Sequence, residues 1–314
     1  MWLLAVSAAF ASAFSAWHAR QPPPSPHPEP NYRYAADVWR DAAGVLADRP
    51  GVVSAERFGH ATSGAPLWVF RVRDPSVPVA RRMLVIAQIH ALEWVPTEIA
   101  TEFLAAAARH PPPGVELWIV PVLNPDGRAK VERDLDDGRN AYRRGNGANV
   151  DLNRDFAINR DEGEGLTQPE SRAVDALAAA QRFDVAVSLH AFGGFVFYPW
   201  AGRWKRPEDH AELHALATVA SAGMTRHPYR PRQLSRYLFA FHGPGMEIDH
   251  LYGRYGTRAL LVETTRSGMS ATRPKDWFTY FRWYNPREPA PHAREGVSLL
   301  RALAWHLVAE ARGW

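Results

Sequence analysis

Short runs of consecutive apolar, largely β-branched residues recur along the chain, separated by longer Ala- and Leu-rich stretches that each have a polar side. The runs Leu67–Val72, Met83–Ile89, Leu117–Val122, Val185–Leu189 and Ala259–Val262 predict strands. Several lack polar alternation, as strands covered on both faces do. Between them, Pro96–Arg109, Gln168–Gln181, Glu208–Arg226 and Ala293–Arg312 predict helices. The first three have a proline at or beside the start, where its missing amide hydrogen costs nothing. Strands alternating with helices predict an α/β domain whose mostly parallel sheet is covered on both faces. Sites in such sheets form where strands run out at their carboxyl ends.

The pattern changes at the amino end. Residues 1–16 read MWLLAVSAAFASAFSA, and Ala11-Ser12-Ala13 fits the small-x-small pattern of a signal peptidase site, although no Lys or Arg precedes the apolar run. An export signal, and a secreted or periplasmic location, is therefore expected. The run is shorter than the ~20 apolar residues of a membrane span. Residues 17–31 contain RQPPPSPHPEP, whose crowded prolines stiffen the chain and predict a linker. Residues 32–314 show no further low-complexity break and no repeat, so they read as one catalytic-size domain.

Composition narrows the chemistry. With no cysteine, disulfides, thiolate metal sites and cysteine nucleophiles are excluded. Lys+Arg number 37 against 33 Asp+Glu, a net +4, and the arginines are interleaved with acids. A nucleic-acid partner needs a concentrated basic stripe, so none is expected; nor is an obligate oligomer. There is no phosphate loop, no G-x-S-x-G elbow and no H-E-x-x-H helix.

Four segments remain. His90-Ala-Leu-Glu93 follows the predicted strand Met83–Ile89, and an imidazole and a carboxylate three positions apart can reach one ion; nitrogen with oxygen donors suits Zn²⁺. Alone, this spacing is common at helix starts. His190 ends the apolar run Val185–Leu189 ahead of Gly193-Gly194, where it is either a third ligand or a satisfied core histidine. Glu263 ends Ala259–Val262; a buried carboxylate is either paired, here with Arg258 or Arg266, or poised over a site. Asn124-Pro-Asp-Gly127 is turn chemistry. The stretch Arg143 to Asp155 then gathers Arg, Asp, Asn and Arg into a fork of donors that matches a carboxylate.

His90-x-x-Glu93, Asn124-Pro-Asp-Gly127, Asp151-Leu-Asn153-Arg154, Pro169-Glu170-Ser-Arg172, Ser188-Leu-His190 with Tyr198-Pro199, and Val262-Glu263 stand in the order and rough spacing of the carboxypeptidase A-like zinc carboxypeptidases. From about Tyr34 to the C-terminus the chain resembles that family. The resemblance implies a three-layer α/β/α sandwich around a mixed, mostly parallel sheet. It implies one Zn²⁺ on His90, Glu93 and His190, with Asp151 orienting His90. It also implies that Asn153 and Arg154 bind the terminal carboxylate of a peptide substrate, that Arg144 stabilises the oxyanion, and that Glu263 is the general base for a metal-activated water. Arg143 is the rival of Arg144 if the loop aligns differently.

The chain departs from the family in three places. A gap-free count puts Phe241 where many relatives have a substrate-capping tyrosine, with Tyr237 four residues earlier as the other candidate. The same count puts Ile248 at the base of the side-chain pocket, implying apolar or aromatic C-terminal residues. Asp155 stands where relatives often have Asn. Two other readings compete: a cell-wall peptide (muropeptide) amidase of the same family, and a catalytically inactive module that holds C-terminal tails.

Overall fold

The computed structural model describes residues 13–21, 26–237, 242–269 and 272–313. Eight strands form one sheet: β1 (Val53–His60), β2 (Pro66–Val72), β3 (Arg81–Ala87), β4 (Val115–Val120), β5 (Val185–Ala191), β6 (Phe195–Tyr198), β7 (Arg230–Gln233) and β8 (Arg258–Thr264). Their order across the sheet is β1-β2-β4-β3-β5-β8-β6-β7. The pairs β3–β4, β3–β5, β5–β8 and β6–β7 are parallel, and the pairs at β1–β2, β2–β4 and β6–β8 are antiparallel. The sheet is mixed, as expected.

Side chains alternate along each strand between two separate cores, which makes the three layers. On one side Met83, Val85, Leu117, Ile119, Val187, Leu260 and Val262 pack under helices α1 (Ala35–Asp48), α2 (Val95–Arg109), α5 (His210–Ala222) and α8 (Ala290–Ala311). On the other, Leu84, Ile86, Trp118, Val120, Ala186 and Leu261 pack under α4 (Pro169–Gln181) and α6 (Glu247–Tyr255). Two further helices are α3 (Pro125–Asp136) and the short α7 (Tyr280–Tyr284).

All five predicted strands and all four predicted helices form, with shifted ends. β3 stops at Ala87, two residues before the predicted end, because Gln88 takes a left-handed conformation (φ 55°) and turns the chain off the sheet. The elements that the pattern did not predict are the edge strands β1 and β7, the short inner strand β6, and α1, α3, α6 and α7. Asn124-Pro-Asp-Gly127 is not only a turn: Asn124 Oδ1 accepts from the Gly127 amide at 2.9 Å and Pro125 opens α3, so the motif caps a helix.

At the amino end, residues 1–12 of the expected export signal lie outside the described residues. Phe14 is fully buried, edge-on to Trp68 and Phe70 with centroids 5.1 and 5.0 Å away. In the stretch expected as a linker, Trp17 packs on Trp39, and Glu29 pairs with Arg282. Just beyond it, the Tyr32 hydroxyl donates to the Pro286 carbonyl. The described part of this segment is thus docked on the domain through aromatic packing and side-chain hydrogen bonds.

The strand order sets the site. From β3 the chain crosses through α2 to β4 on one side, then returns through α4 to β5 on the other. The carboxyl ends of β3 and β5 therefore flank a crevice at the switch point.

Candidate active site

Beyond Gln88, the loop between β3 and α2 makes a turn, with the Glu93 amide donating to the His90 carbonyl at 3.3 Å, and brings both side chains to the end of the sheet. β5 and β8 run parallel with His190 and Glu263 side by side in register. The three predicted ligands converge. His90 Nδ1 lies 2.7 Å from Glu93 Oε1, His190 Nδ1 lies 3.2 Å from Glu93 Oε2, and the two Nδ1 atoms are 3.2 Å apart. All three residues are buried.

The outer nitrogens identify what belongs between them. His90 Nε2 faces Asp151 Oδ1 at 3.2 Å, a carboxylate that only accepts. His190 Nε2 faces Ser188 Oγ at 3.0 Å, and that hydroxyl donates onward to Glu247 Oε2 at 2.5 Å. Each outer nitrogen thus donates, which leaves each Nδ1 with its lone pair pointed inward at Glu93 and at the other ring. Three acceptors with no proton between them repel one another unless a cation sits among them. Two imidazole nitrogens and one carboxylate form the three-ligand set of a catalytic zinc site with a coordination position to spare. Asp151 and Ser188 are the outer partners that orient the rings.

Glu263 lies beside this set with one oxygen, Oε2, buried and without a hydrogen-bond partner. Neither Arg258 nor Arg266 pairs with it: Arg258 is held by Glu310. Burial, followed by the negative charge of Glu93, pushes the Glu263 carboxyl well above the ordinary range. Asp151 behaves oppositely. Burial raises it, but His90 and Arg144 outweigh that and hold it ionised far below the usual carboxylate range.

Arg144 donates from Nε to Asp151 Oδ2 at 2.7 Å, and its Nη1 is 3.6 Å from Glu93 Oε1. Arg143 turns away to Asp134, 2.7 Å from its Nε, so Arg144 is the guanidinium aimed at the metal set. Asn153, in a short helical turn, accepts the Glu247 amide on Oδ1 at 2.9 Å and leaves Nδ2 buried without a partner. Arg154 is half-buried. It donates to the Asn153 carbonyl at 2.6 Å and has no carboxylate partner among the described residues. These groups open into a cavity of about 300 Å³, which Tyr237, Phe195, Phe197, Leu234, Met246 and Leu261 also line.

A sequence model of the zinc carboxypeptidases, peptidase M14, matches residues 41–279. The chain belongs to this family. Among curated proteins, bovine carboxypeptidase B2 is 25% identical over 241 residues, 66% of this chain and 54% of its own length. Human carboxypeptidase B2 is 22% identical over 84% of this chain and 67% of its own length. The chain thus spans about half to two thirds of those relatives. Among solved structures, bovine thrombin-activatable fibrinolysis inhibitor in complex with tick carboxypeptidase inhibitor aligns with a TM-score of 0.71 at 20% identity, over 89% of this chain and 98% of that one. Carboxypeptidase A from Helicoverpa armigera aligns with a TM-score of 0.69 at 18% identity, over 99% and 81%. The carboxypeptidase A fold and the zinc-binding His-Glu-His set of the family are both present.

Not every expected site residue reaches the cavity. Ile248 is fully buried in the core beneath α6 and is not among the lining residues; its neighbour Met246 is. Phe241 lies outside the described residues. Tyr237 lines the cavity with its ring against Phe195, centroids 4.6 Å apart. Asp155, the departure without an evident meaning in the sequence, is buried at the start of α4. It accepts from the Thr167 and Gln168 amides at 3.0 and 2.8 Å, so an ionised side chain suits that helix N-terminus.

Several functional positions escaped the sequence. Asn124 donates from Nδ2 to the carbonyls of Ile89 and Gly145, both at 3.1 Å, so one side chain ties the residue before His90 to the residue after Arg144. Asn146 is held by Thr62, Gln168 and Glu170, which fixes the same loop. Asn285 clamps the other side, accepting from the Trp94 amide and donating to the Leu92 carbonyl. Tyr284 lines the cavity itself. Ser188 was not singled out either, although its position gave a signal: two residues before His190 on a strand, it shares the same face.

Proposed function

We propose that this chain is a zinc-dependent metallocarboxypeptidase that removes the C-terminal residue of peptides. The observation that carries the reading is the guanidinium of Arg154, which has no carboxylate partner among the described residues, and the unpaired Nδ2 of Asn153, both of which line the same cavity as the His90–Glu93–His190 set and Glu263. A free α-carboxylate fits the Arg-with-Asn donors. The apolar walls Phe195, Phe197, Leu234, Met246 and Leu261 suit an apolar or aromatic terminal side chain, and Tyr237 stands where it can cover the bound residue.

His90, Glu93 and His190 would hold the zinc, which when bound would polarise the carbonyl and make a water more acidic. The chain does the rest. Arg154 and Asn153 fix the end of the peptide, so the last peptide bond is the one presented to the metal set. Glu263 takes the proton of the attacking water on its unpaired oxygen and returns it to the departing amine. Arg144, held in place by Asp151, meets the negative charge that builds on the carbonyl oxygen. Export is part of the proposal, supported by Ala11-Ser12-Ala13, and no described helix is long and apolar enough to cross a membrane.

Arg154→Ala tests the carboxylate fork. The variant is expected to lose at least about tenfold in kcat/KM on peptides with a free terminus, the worth of a charge-assisted bond of about 1.5–3 kcal/mol. Binding of the same peptides with an amidated terminus, measured by calorimetry, is expected to be unchanged. Equal losses on both forms would remove Arg154 from that role.

A further inference from the structure

Glu247 is the first residue of α6 and is 1% exposed, yet none of the chemistry above uses it. An acid in the first turn of a helix ordinarily serves the helix, whose free amides favour negative charge. The Glu247 carboxylate points elsewhere: its hydrogen bond crosses to β5, where Ser188 Oγ donates to Oε2 at 2.5 Å. No cationic side chain pairs with it among the described residues, and burial pushes its carboxyl up to about 7 against the pull of the Ser188 hydroxyl and of His90. A buried acid without a cation beside it costs the fold stability. The backbone nonetheless holds it in place, through the bond from its amide to Asn153 Oδ1 at 2.9 Å and through the fully buried Ile248 next to it.

The far end of that hydrogen bond is the metal set. A hydroxyl is both donor and acceptor, so Ser188 by itself does not decide which His190 nitrogen carries the proton. An ionised carboxylate only accepts. With Glu247 behind it, Ser188 directs its one proton at the acid, and its oxygen is then left to accept from His190 Nε2, 3.0 Å away. The opposite tautomer would leave one of these two contacts without a proton. The acid therefore sets the tautomer that turns the Nδ1 lone pair of His190 inward, as Asp151 does for His90 directly at 3.2 Å. One ring is backed by a carboxylate in contact, the other by a carboxylate one hydroxyl away.

We infer that Glu247 is a positioning residue for metal binding: through Ser188 it fixes the orientation and tautomer of His190, and so raises the affinity of the His90–Glu93–His190 set for zinc. The inference goes beyond the carboxypeptidase reading and needs only the zinc-binding set, so it stands or falls apart from any substrate. Glutamine is the sharpest substitution, because its carboxamide has nearly the shape of the acid but donates as well as accepts. It therefore allows both directions of the hydrogen-bond chain, where the acid allows one.

The test measures the zinc affinity of the full chain, loaded with zinc and titrated with a competing chelator, for the wild type, Glu247→Gln, Ser188→Ala and the double variant. Glu247→Gln is expected to weaken zinc binding by about 10–100-fold, the usual effect of losing a partner behind a metal-bound histidine. Ser188→Ala is expected to lose a similar amount. The double variant is expected to bind zinc within about twofold of Ser188→Ala alone, because without the hydroxyl the acid has no route to the ring. Thermal unfolding of the zinc-free proteins reads any effect on α6 separately. Glu247→Gln with wild-type zinc affinity overturns the inference, and a lower melting temperature in that case marks Glu247 as a helix acid only. Losses that add in the double variant overturn the route through Ser188. Glu247→Gln is close to isosteric and decides the first point even where Ser188→Ala does not fold.

Discussion

Glu263→Gln is expected to lower kcat by about 10²–10⁴-fold, the range that a positioned general base contributes, while the protein keeps its full zinc content. The size of the loss follows from position and ionisation together. Glu263 is set in register beside His190 by the pairing of β5 with β8, and its Oε2 has no other hydrogen-bonding duty. Burial and the charge of Glu93 push its carboxyl up, and a cation held among His90, Glu93 and His190 would favour the ionised form that accepts a proton. Glutamine keeps the shape and the hydrogen-bonding reach but cannot take the proton. Steady-state kinetics on a blocked dipeptide, with elemental analysis of the same sample, reads both quantities. Near-normal turnover in the variant would mean that another group moves the proton.

Arg144→Ala is expected to cost about 10²–10³-fold in kcat, the scale of losing one donor to a developing oxyanion, with a smaller change in KM. The asymmetry between kcat and KM is the informative part. Arg144 is half-buried and kept in place by the Asp151 carboxylate, whose other oxygen holds His90, so one acid fixes both the ring and the guanidinium. A donor fixed in this way costs no reorganisation when charge appears on the carbonyl oxygen. Arg143→Ala is the control: its guanidinium is occupied by Asp134, and the substitution is expected to leave kcat within about twofold, as surface changes away from a site do. A larger loss from Arg143 than from Arg144 would reverse the assignment.

The residues that were legible in the sequence are those at the ends of strands. His190 and Glu263 were visible because a polar residue closing an apolar run at the carboxyl end of a parallel strand has few structural reasons to be there. His90 and Glu93, whose spacing alone is common at helix starts, became specific only beside the other family motifs. The loop residues became legible only through the family motifs, since Asp151, Asn153 and Arg154 carry no periodic signal. The choice between Arg143 and Arg144 depended on Asp134, an acid on α3 whose approach to that loop is a tertiary event. Asn124 looked like the end of a strand because its capping bond and its two carbonyl contacts form only when α3 and both loops are assembled. Ile248 was misplaced for a related reason: a gap-free count assumes a fixed backbone path, and α6 carries Ile248 into the core while Met246 faces the cavity. The edge strand β7, Arg-Pro-Arg-Gln, has no apolar pattern to read at all.

Direct metal binding tests whether His90, Glu93 and His190 together hold a single divalent cation. The chelator-stripped protein titrated with Zn²⁺ in a calorimeter is predicted to take up one equivalent, and His90→Ala/His190→Ala none at the same concentrations. A stripped wild-type chain that binds no zinc, or a double variant that still binds a full equivalent, would contradict the account.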